Sequence, residues 1–199
     1  MNAVLTTVAA LYVDPRGPYP LMPGVECWDA ARDARNYAGP WPVVAHPPCG
    51  PWSRFSHFNI HQCKSLAPIA VEQVRAFGGV LEHPTASKLF RHCGLPFPNE
   101  WIADKFGGFT VEVDQCAFGH VARKNTWLYI VGANRARVVI ELPRSKGTPT
   151  HRVARDRRRT ARGELKECSA EQRRRTPPAF AEWLVSLARS VDSDARGAA

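Results

Sequence analysis

The stretch "VVAHPPCGPWSRFS", residues 43–56, decides the reading of this chain. An apolar run ends at Ala45 and is stopped by Pro47 and Pro48. A run this short, bounded by proline, reads as a buried strand. Immediately past it come His46, Cys49, Trp52 and Ser53, on a backbone stiffened by Pro47, Pro48 and Pro51. A cysteine that only fills space needs no such frame. A thiol presented at the end of a strand as a nucleophile does.

Working outward, "VAALYV" (8–13) and "VLEH" (80–83) repeat the pattern of a short apolar strand stopped by proline, and "GVECW" (24–28) fits another. "DAARDARNYAG" predicts a short helix with Asp29 as its cap. "SLAPIAVEQVRAFGG" predicts a longer one, opened by Ser65 and ended by Gly78 and Gly79. "TASKLFRHCG" is a further short helix. "FTVEVDQC" and "TWLYIVGA" read as two strands joined by a turn around Gly119, and "RVVIEL" adds a third. In "TPPAFAEWLVSLARS", Thr176 is a cap candidate, and Phe180, Trp183, Leu184, Leu187 and Val191 fall on one face of a helix. Strands alternating with helices predict an α/β fold: a parallel sheet with a β-hairpin near its end.

The chain has 199 residues and 44% hydrophobic residues, enough for one domain with a full core. No apolar run approaches the ~20 residues of a membrane span. The opening "MNAVLTTVAALYVDP" lacks a basic leader and reads as a first strand, not a signal peptide. Six cysteines stand singly with no CxxC pair, the usage of a reducing, cytoplasmic compartment. The net charge of +9 is localised. Residues 133–175 hold 14 Lys and Arg against 5 Asp and Glu, so this stretch carries the entire excess. It includes Arg157, Arg158 and Arg159, and it predicts a polyanion partner.

In parallel sheets ligands gather at the carboxyl ends of the strands. Three such ends carry chemistry here: Asp14-Pro15, His46-Pro47-Pro48-Cys49 and Glu82-His83-Pro84. Glu82 follows an apolar run, so desolvation is expected to raise its pKa and suit it to donate a hydrogen bond to a ring nitrogen.

These residues resemble a known family. "PPCGPWS" is similar to the catalytic loop of DNA cytosine-5 methyltransferases, usually Pro-Cys-Gln-x-Phe-Ser. Cys49 stands in the nucleophile position, Trp52 in the aromatic one and Ser53 in the serine one. "LEHP" resembles the family's Glu-Asn-Val/Pro loop, with Glu82 as its glutamate. "FGHVARKNTWLYIVG" resembles the later Arg-x-Arg segment and its strand. "TPPAFAEWLVSLA" resembles the C-terminal helix that returns to the cofactor pocket. The pieces occur in the family's order. The departures are a first loop, "YVDPRGPYP", in place of Phe-x-Gly-x-Gly, Gly50 for the Gln after the nucleophile, and His83 for the Asn after Glu82. Arg123-Lys124 replaces the Arg-x-Arg pair, and the basic stretch stands where a target-recognition domain would be. The whole resembles a compact, divergent branch such as phages carry.

The resemblance implies a Rossmann-like methyltransferase sheet, mostly parallel with a terminal β-hairpin. It divides the chain into a catalytic core over 1–132, a basic nucleic-acid-binding segment over 133–175 and a returning helix over 176–191. It implies that Cys49 attacks carbon 6 of a flipped cytosine, with Glu82 at ring nitrogen 3 and Arg123 or Lys124 holding the ring or its phosphate. S-adenosylmethionine would donate the methyl group from a crevice between Asp14, Gly17, Glu26, Asp29 and Pro47. DNA would lie against Ser53, Arg54 and the basic stretch, and a protein partner could supply sequence specificity. Two alternatives stay open: the same adduct used without S-adenosylmethionine, for another one-carbon addition or deamination, and a non-catalytic DNA binder. No zinc is expected, because His57, His61, Cys63, His92, Cys93, Cys116 and His120 follow no four-ligand spacing.

Overall fold

Six strands form one sheet in a computed structural model that describes residues 5–53, 56, 63–98, 100, 102–153 and 165–191. They are β1 (Val8–Leu11), β2 (Val25–Trp28), β3 (Val43–Ala45), β4 (Gly79–Pro84), β5 (Phe109–Asp114) and β6 (Asn125–Val131), and their order is β2-β1-β3-β4-β6-β5. The first four run parallel. β5 and β6 make the expected hairpin, and β6 inserts between β5 and β4, antiparallel to both. The fold is therefore α/β with a mostly parallel sheet. The insertion has a consequence for chemistry. The start of β6 and the end of β5 arrive at the same edge as the carboxyl ends of β1, β3 and β4.

The described helices are α1 (Leu66–Phe77), α2 (Lys88–His92), α3 (Arg135–Glu141), α4 (Ala170–Arg174) and α5 (Pro178–Arg189). α1 covers one face of the sheet, where Ala67, Val71 and Val74 meet Leu11, Ala45, Leu81 and Tyr129. α5 covers the other, where Phe180, Leu184 and Ala188 meet Ala10, Val44, Val80 and Leu128. A strand buried on both faces must be apolar at every position, which is why β1 and β3 read as unbroken runs rather than alternations. Gly79 is forced where β4 begins. Its φ is 119°, and a Cβ there would lie 1.9 Å from the Val43 carbonyl oxygen.

Several expectations are corrected. "RVVIEL" is not a strand but α3. The Asn134 side chain accepts the Arg137 N–H and starts a helix, and Arg137 pairs with Glu141 one turn on. The β-branched run pointed to a strand, yet only Val138 is fully buried. "DAARDARNYAG" is not a helix beyond one 3-10 turn, Ala34–Asn36. The Asp29 side chain accepts from Ala31 and Arg32, and Asp33 sits at φ 57° accepting from Arg35. These local bonds compete with the helical ladder. β1 ends at Leu11 rather than Val13, with Tyr12 turning at φ 59°. Ser65 occupies the N-cap of α1 as expected but its side chain makes no capping bond, and Pro177 rather than Thr176 occupies the N-cap of α5.

The described part of the basic segment is fastened to the core. Val138 is buried, the Thr150 and His151 N–H groups both donate to the Val121 carbonyl, and His120 Nε2 lies 2.9 Å from the Gln172 carbonyl oxygen. A two-residue pair, β7 (His151–Arg152) with β8 (Lys166–Glu167), lies beside it. No helix among the described residues is long and apolar enough to cross a membrane.

Candidate active site

Register builds the site. Ala45 pairs with Leu81, so the next step of the parallel ladder sets His46 beside Glu82 on the face covered by α5. Glu82 Oε2 lies 3.2 Å from His46 Nδ1, and Glu82 Oε1 accepts from Gln115 Nε2 at 2.9 Å. The same Gln115 amide donates to Thr126 Oγ1 at 2.9 Å. The far nitrogen of the histidine, Nε2, lies 2.6 Å from the buried Tyr19 hydroxyl. Five residues from separate places in the sequence thus meet in one hydrogen-bonded row at the carboxyl edge.

Cys49 stands beyond this row. The His46 N–H still donates to the Leu11 carbonyl, so the strand effectively extends one residue past β3. Pro47 is buried. Cys49 then opens a 3-10 turn, Gly50–Trp52, whose Trp52 ring is anchored in the α1-side core and donates to the Lys64 carbonyl. The stiff frame therefore pins the loop at both ends. Cys49 itself is solvent-exposed but also crowded by protein. Desolvation pushes its thiol pKa up, the Glu82 charge adds to this, and the Lys124 ammonium opposes it. Cys49, Glu82 and Lys124 consequently share one electrostatic site.

Glu82 differs from expectation. Burial does oppose its ionisation, but the hydrogen bond from His46 and the charge of Lys124 outweigh burial and lower its pKa from the ordinary 4.5 to about 2. The expected rise does not occur, and at neutral pH this group is a carboxylate. Lys124 Nζ also donates to the Arg175 carbonyl at 3.4 Å, which brings the exposed Arg173, Arg174 and Arg175 to the rim of the site.

The other expected residues are placed as follows. Arg123 is turned to a structural task. It pairs with Asp114 at 2.9 Å and donates to the Lys146 and Gly147 carbonyls, clasping the loop at 145–147. Ser53 donates to the Gly50 carbonyl and closes the turn. Arg54, Arg157, Arg158 and Arg159 lie outside the described residues, as do His57 and His61. Among the described residues no group of three or more His, Cys, Asp or Glu could hold a metal ion.

The residues implied for S-adenosylmethionine are engaged elsewhere. Asp14 is exposed and paired with Arg16, Glu26 pairs with Arg32, and Asp29 closes its own turn. Gly17 donates to the Asp14 carbonyl within a tight turn, and Pro47 is packed inside. The loop that would cradle the cofactor instead sends Tyr19 into the core against His46, with ring centroids 5.4 Å apart. In this arrangement the described residues do not fit the cofactor's amino-acid end. Two surface cavities, of about 410 and 510 Å³, are lined by α1 together with Tyr37 and Phe77, and by Arg75 with Asp104 and Phe106. Neither includes Cys49 or Glu82.

Tyr19, Gln115 and Thr126 are the members of the site that the sequence did not single out, and His46 stood at a marked strand end without a role. One signal was available for His46: both it and Glu82 follow short apolar runs of adjacent strands. In comparisons with known proteins, no family model matches the chain, and no curated protein matches it either.

Proposed function

We propose that the protein is a nucleic-acid-modifying enzyme of the DNA cytosine-5 methyltransferase type, in which Cys49 adds to carbon 6 of cytosine. The observation that carries the reading is the shared field of Cys49, Glu82 and Lys124 at the carboxyl edge of a mostly parallel sheet. As the sulfur–carbon 6 bond forms, the carbon 5–carbon 6 π pair moves between carbons 4 and 5. The carbon 4–nitrogen 3 pair then settles on nitrogen 3, which takes a proton. The proton lost by the thiol ends on nitrogen 3, and the Glu82 carboxylate stabilises the protonated nitrogen by accepting its N–H. As an anion it also accepts a hydrogen bond from the exocyclic amine of cytosine, one that the carbonyl oxygen at carbon 4 of uracil cannot donate. Carbon 5 becomes an enamine carbon, open to an electrophile. The exposed arginines at 173–175 and the remainder of the basic segment would bind the phosphate backbone.

Methyl transfer from S-adenosylmethionine to carbon 5 is the reading the resemblance favours. The seating of Tyr19 favours a second, in which the adduct serves a reaction without that donor. One experiment tests both. Oligonucleotides carrying 5-fluorocytosine or 2-pyrimidinone are incubated with the protein, with and without S-adenosylmethionine, and denaturation-resistant complexes are counted. Methyl transfer predicts capture of fluorocytosine only with the donor. The donor-free reading predicts capture of pyrimidinone and exchange of the cytosine 5-hydrogen with solvent, both without the donor. Cys49→Ser abolishes every complex. Absence of all of these with the unaltered protein overturns the proposal.

A further inference from the structure

We propose that His46 is the positioning residue of the site, held by the Tyr19 hydroxyl as the tautomer that carries its proton on Nδ1 and so fixes the Glu82 carboxylate toward the bound base. The inference rests on the function proposed above and adds two residues that the resemblance does not supply.

The geometry leaves little freedom. Glu82 Oε2 is an acceptor, so the His46 nitrogen 3.2 Å away must donate to it. The opposite nitrogen faces the Tyr19 hydroxyl at 2.6 Å. Tyr19 is buried, and burial first, then the negative charge of Glu82, raises its pKa well above the ordinary value, so it keeps its proton. A hydroxyl with a proton to give and a ring nitrogen able to accept it make a one-directional row: Tyr19 O–H to Nε2, Nδ1–H to Glu82. A hydrogen bond at one ring nitrogen sets what the other presents. Gln115 holds the second carboxylate oxygen, so the plane of the carboxylate is fixed from both sides. The side chains of His46 and Glu82 are each about 12% exposed, enough to leave one side open to a ligand. The groups whose charge reaches this row are Lys124, His83 and Cys49, with Cys27 beside Tyr19. His83 is fully buried, and burial lowers its pKa to about 4, so it is neutral and does not compete as a donor of charge.

The test has two arms. The first needs no substrate: nitrogen-15 spectra of the whole protein labelled at histidine. The expected result is a His46 ring protonated at Nδ1 and bare at Nε2, with Nδ1 keeping its proton and the Nε2 resonance losing its hydrogen-bond shift in Tyr19→Phe. A proton on Nε2 in the unaltered protein overturns the inference. The second arm measures the rate of capture of the modified cytosine. His46→Asn places an amide N–H where Nδ1 stood and should retain the rate within about threefold. His46→Gln reaches toward Tyr19 instead and should lose about 10–100-fold, the scale of a lost hydrogen bond to a charged group. Equal rates for the two variants overturn the positioning role. An unaltered protein that captures nothing overturns the proposed function, and the nitrogen-15 arm still decides the tautomer.

Discussion

Arg75 and Glu82 are both charged groups drawn into the protein, on opposite faces of the same sheet. Around Arg75 each guanidinium nitrogen is engaged. Nη1 bonds Glu72, Nη2 bonds the Cys93 carbonyl with Asp104 at 3.5 Å, Nε faces the Tyr129 hydroxyl, and the Phe106 ring covers the guanidinium. Tyr129 in turn donates to Asp104 at 2.6 Å. That cluster closes on itself and ties α1 to β6. Around Glu82 the partners come from loops and strand ends, and an exposed thiol stands beyond the row. The difference is one of accounting for polar atoms. A structural cluster satisfies its members internally, whereas the site proposed above keeps a thiol at the surface beside its row.

The largest expected effects cross over between the two. Arg75→Met strips the countercharge from a buried acidic partner, and should cost about 3–5 kcal/mol in urea denaturation. It should leave capture of modified cytosine by the remaining folded protein intact. Cys49→Ser should shift stability by under ~0.5 kcal/mol, as surface changes do, and remove capture completely. If Cys49→Ser unfolded the protein as Arg75→Met does, the distinction would collapse and the thiol would be a core residue.

Acid should report on the Glu82 cluster. A carboxylate whose pKa is lowered on folding stabilises the fold above its unfolded value and loses that contribution as pH falls through the folded one. For Glu82 the window runs from about 4.5 down to about 2. The denaturation midpoint of the unaltered protein should therefore fall across this range, and the fall should be shallower in Glu82→Gln. An identical acid slope in both would show that His46 and Lys124 do not hold the carboxylate ionised.

What was legible follows from what is local. Runs such as "VVA" and "VL" announced β3 and β4, because strands buried on both faces are apolar throughout. The 3.6-residue period announced α5. Cys49 and Glu82 stood out because each ends such a run. His46 ends one too, but its meaning depends on the pairing of Ala45 with Leu81, which no single segment contains. Gln115 and Thr126 reach the site only because β6 inserts beside β4. Tyr19 comes from a proline-rich loop that resembles a degraded cofactor turn and instead supplies a ring. α3 misled for the opposite reason: Val138, Val139 and Ile140 favour a strand locally, and the Asn134 cap decides otherwise.

The smallest effect is also the sharpest test of assignment, because it separates two adjacent residues. Arg123 and Lys124 were interchangeable in the sequence. Folding divides them: Asp114 Oδ2 takes the Arg123 guanidinium, while Asp114 Oδ1 takes the Lys124 backbone N–H. One aspartate therefore turns the arginine out toward the 145–147 loop and sets the lysine inward, between the thiol, the carboxylate and the Arg175 carbonyl. Arg123→Ala should cost about 1 kcal/mol of stability, the scale of ordinary hydrogen bonds at a half-exposed site, and change the capture rate less than twofold. Lys124→Met should cost about 1 kcal/mol as well, because the lysine charge helps to hold the Glu82 carboxylate ionised. Without its ammonium, however, the Cys49 thiolate loses the positive charge that, among the described residues, favours it. The rate of capture should drop about tenfold near neutral pH, and its pH profile should move to higher pH. Lys124→Arg, which keeps the charge, should restore most of the rate. A profile that shifted with Arg123→Ala and not with Lys124→Met would reverse the two roles and place the loop at 145–147, rather than the β6 start, against the substrate.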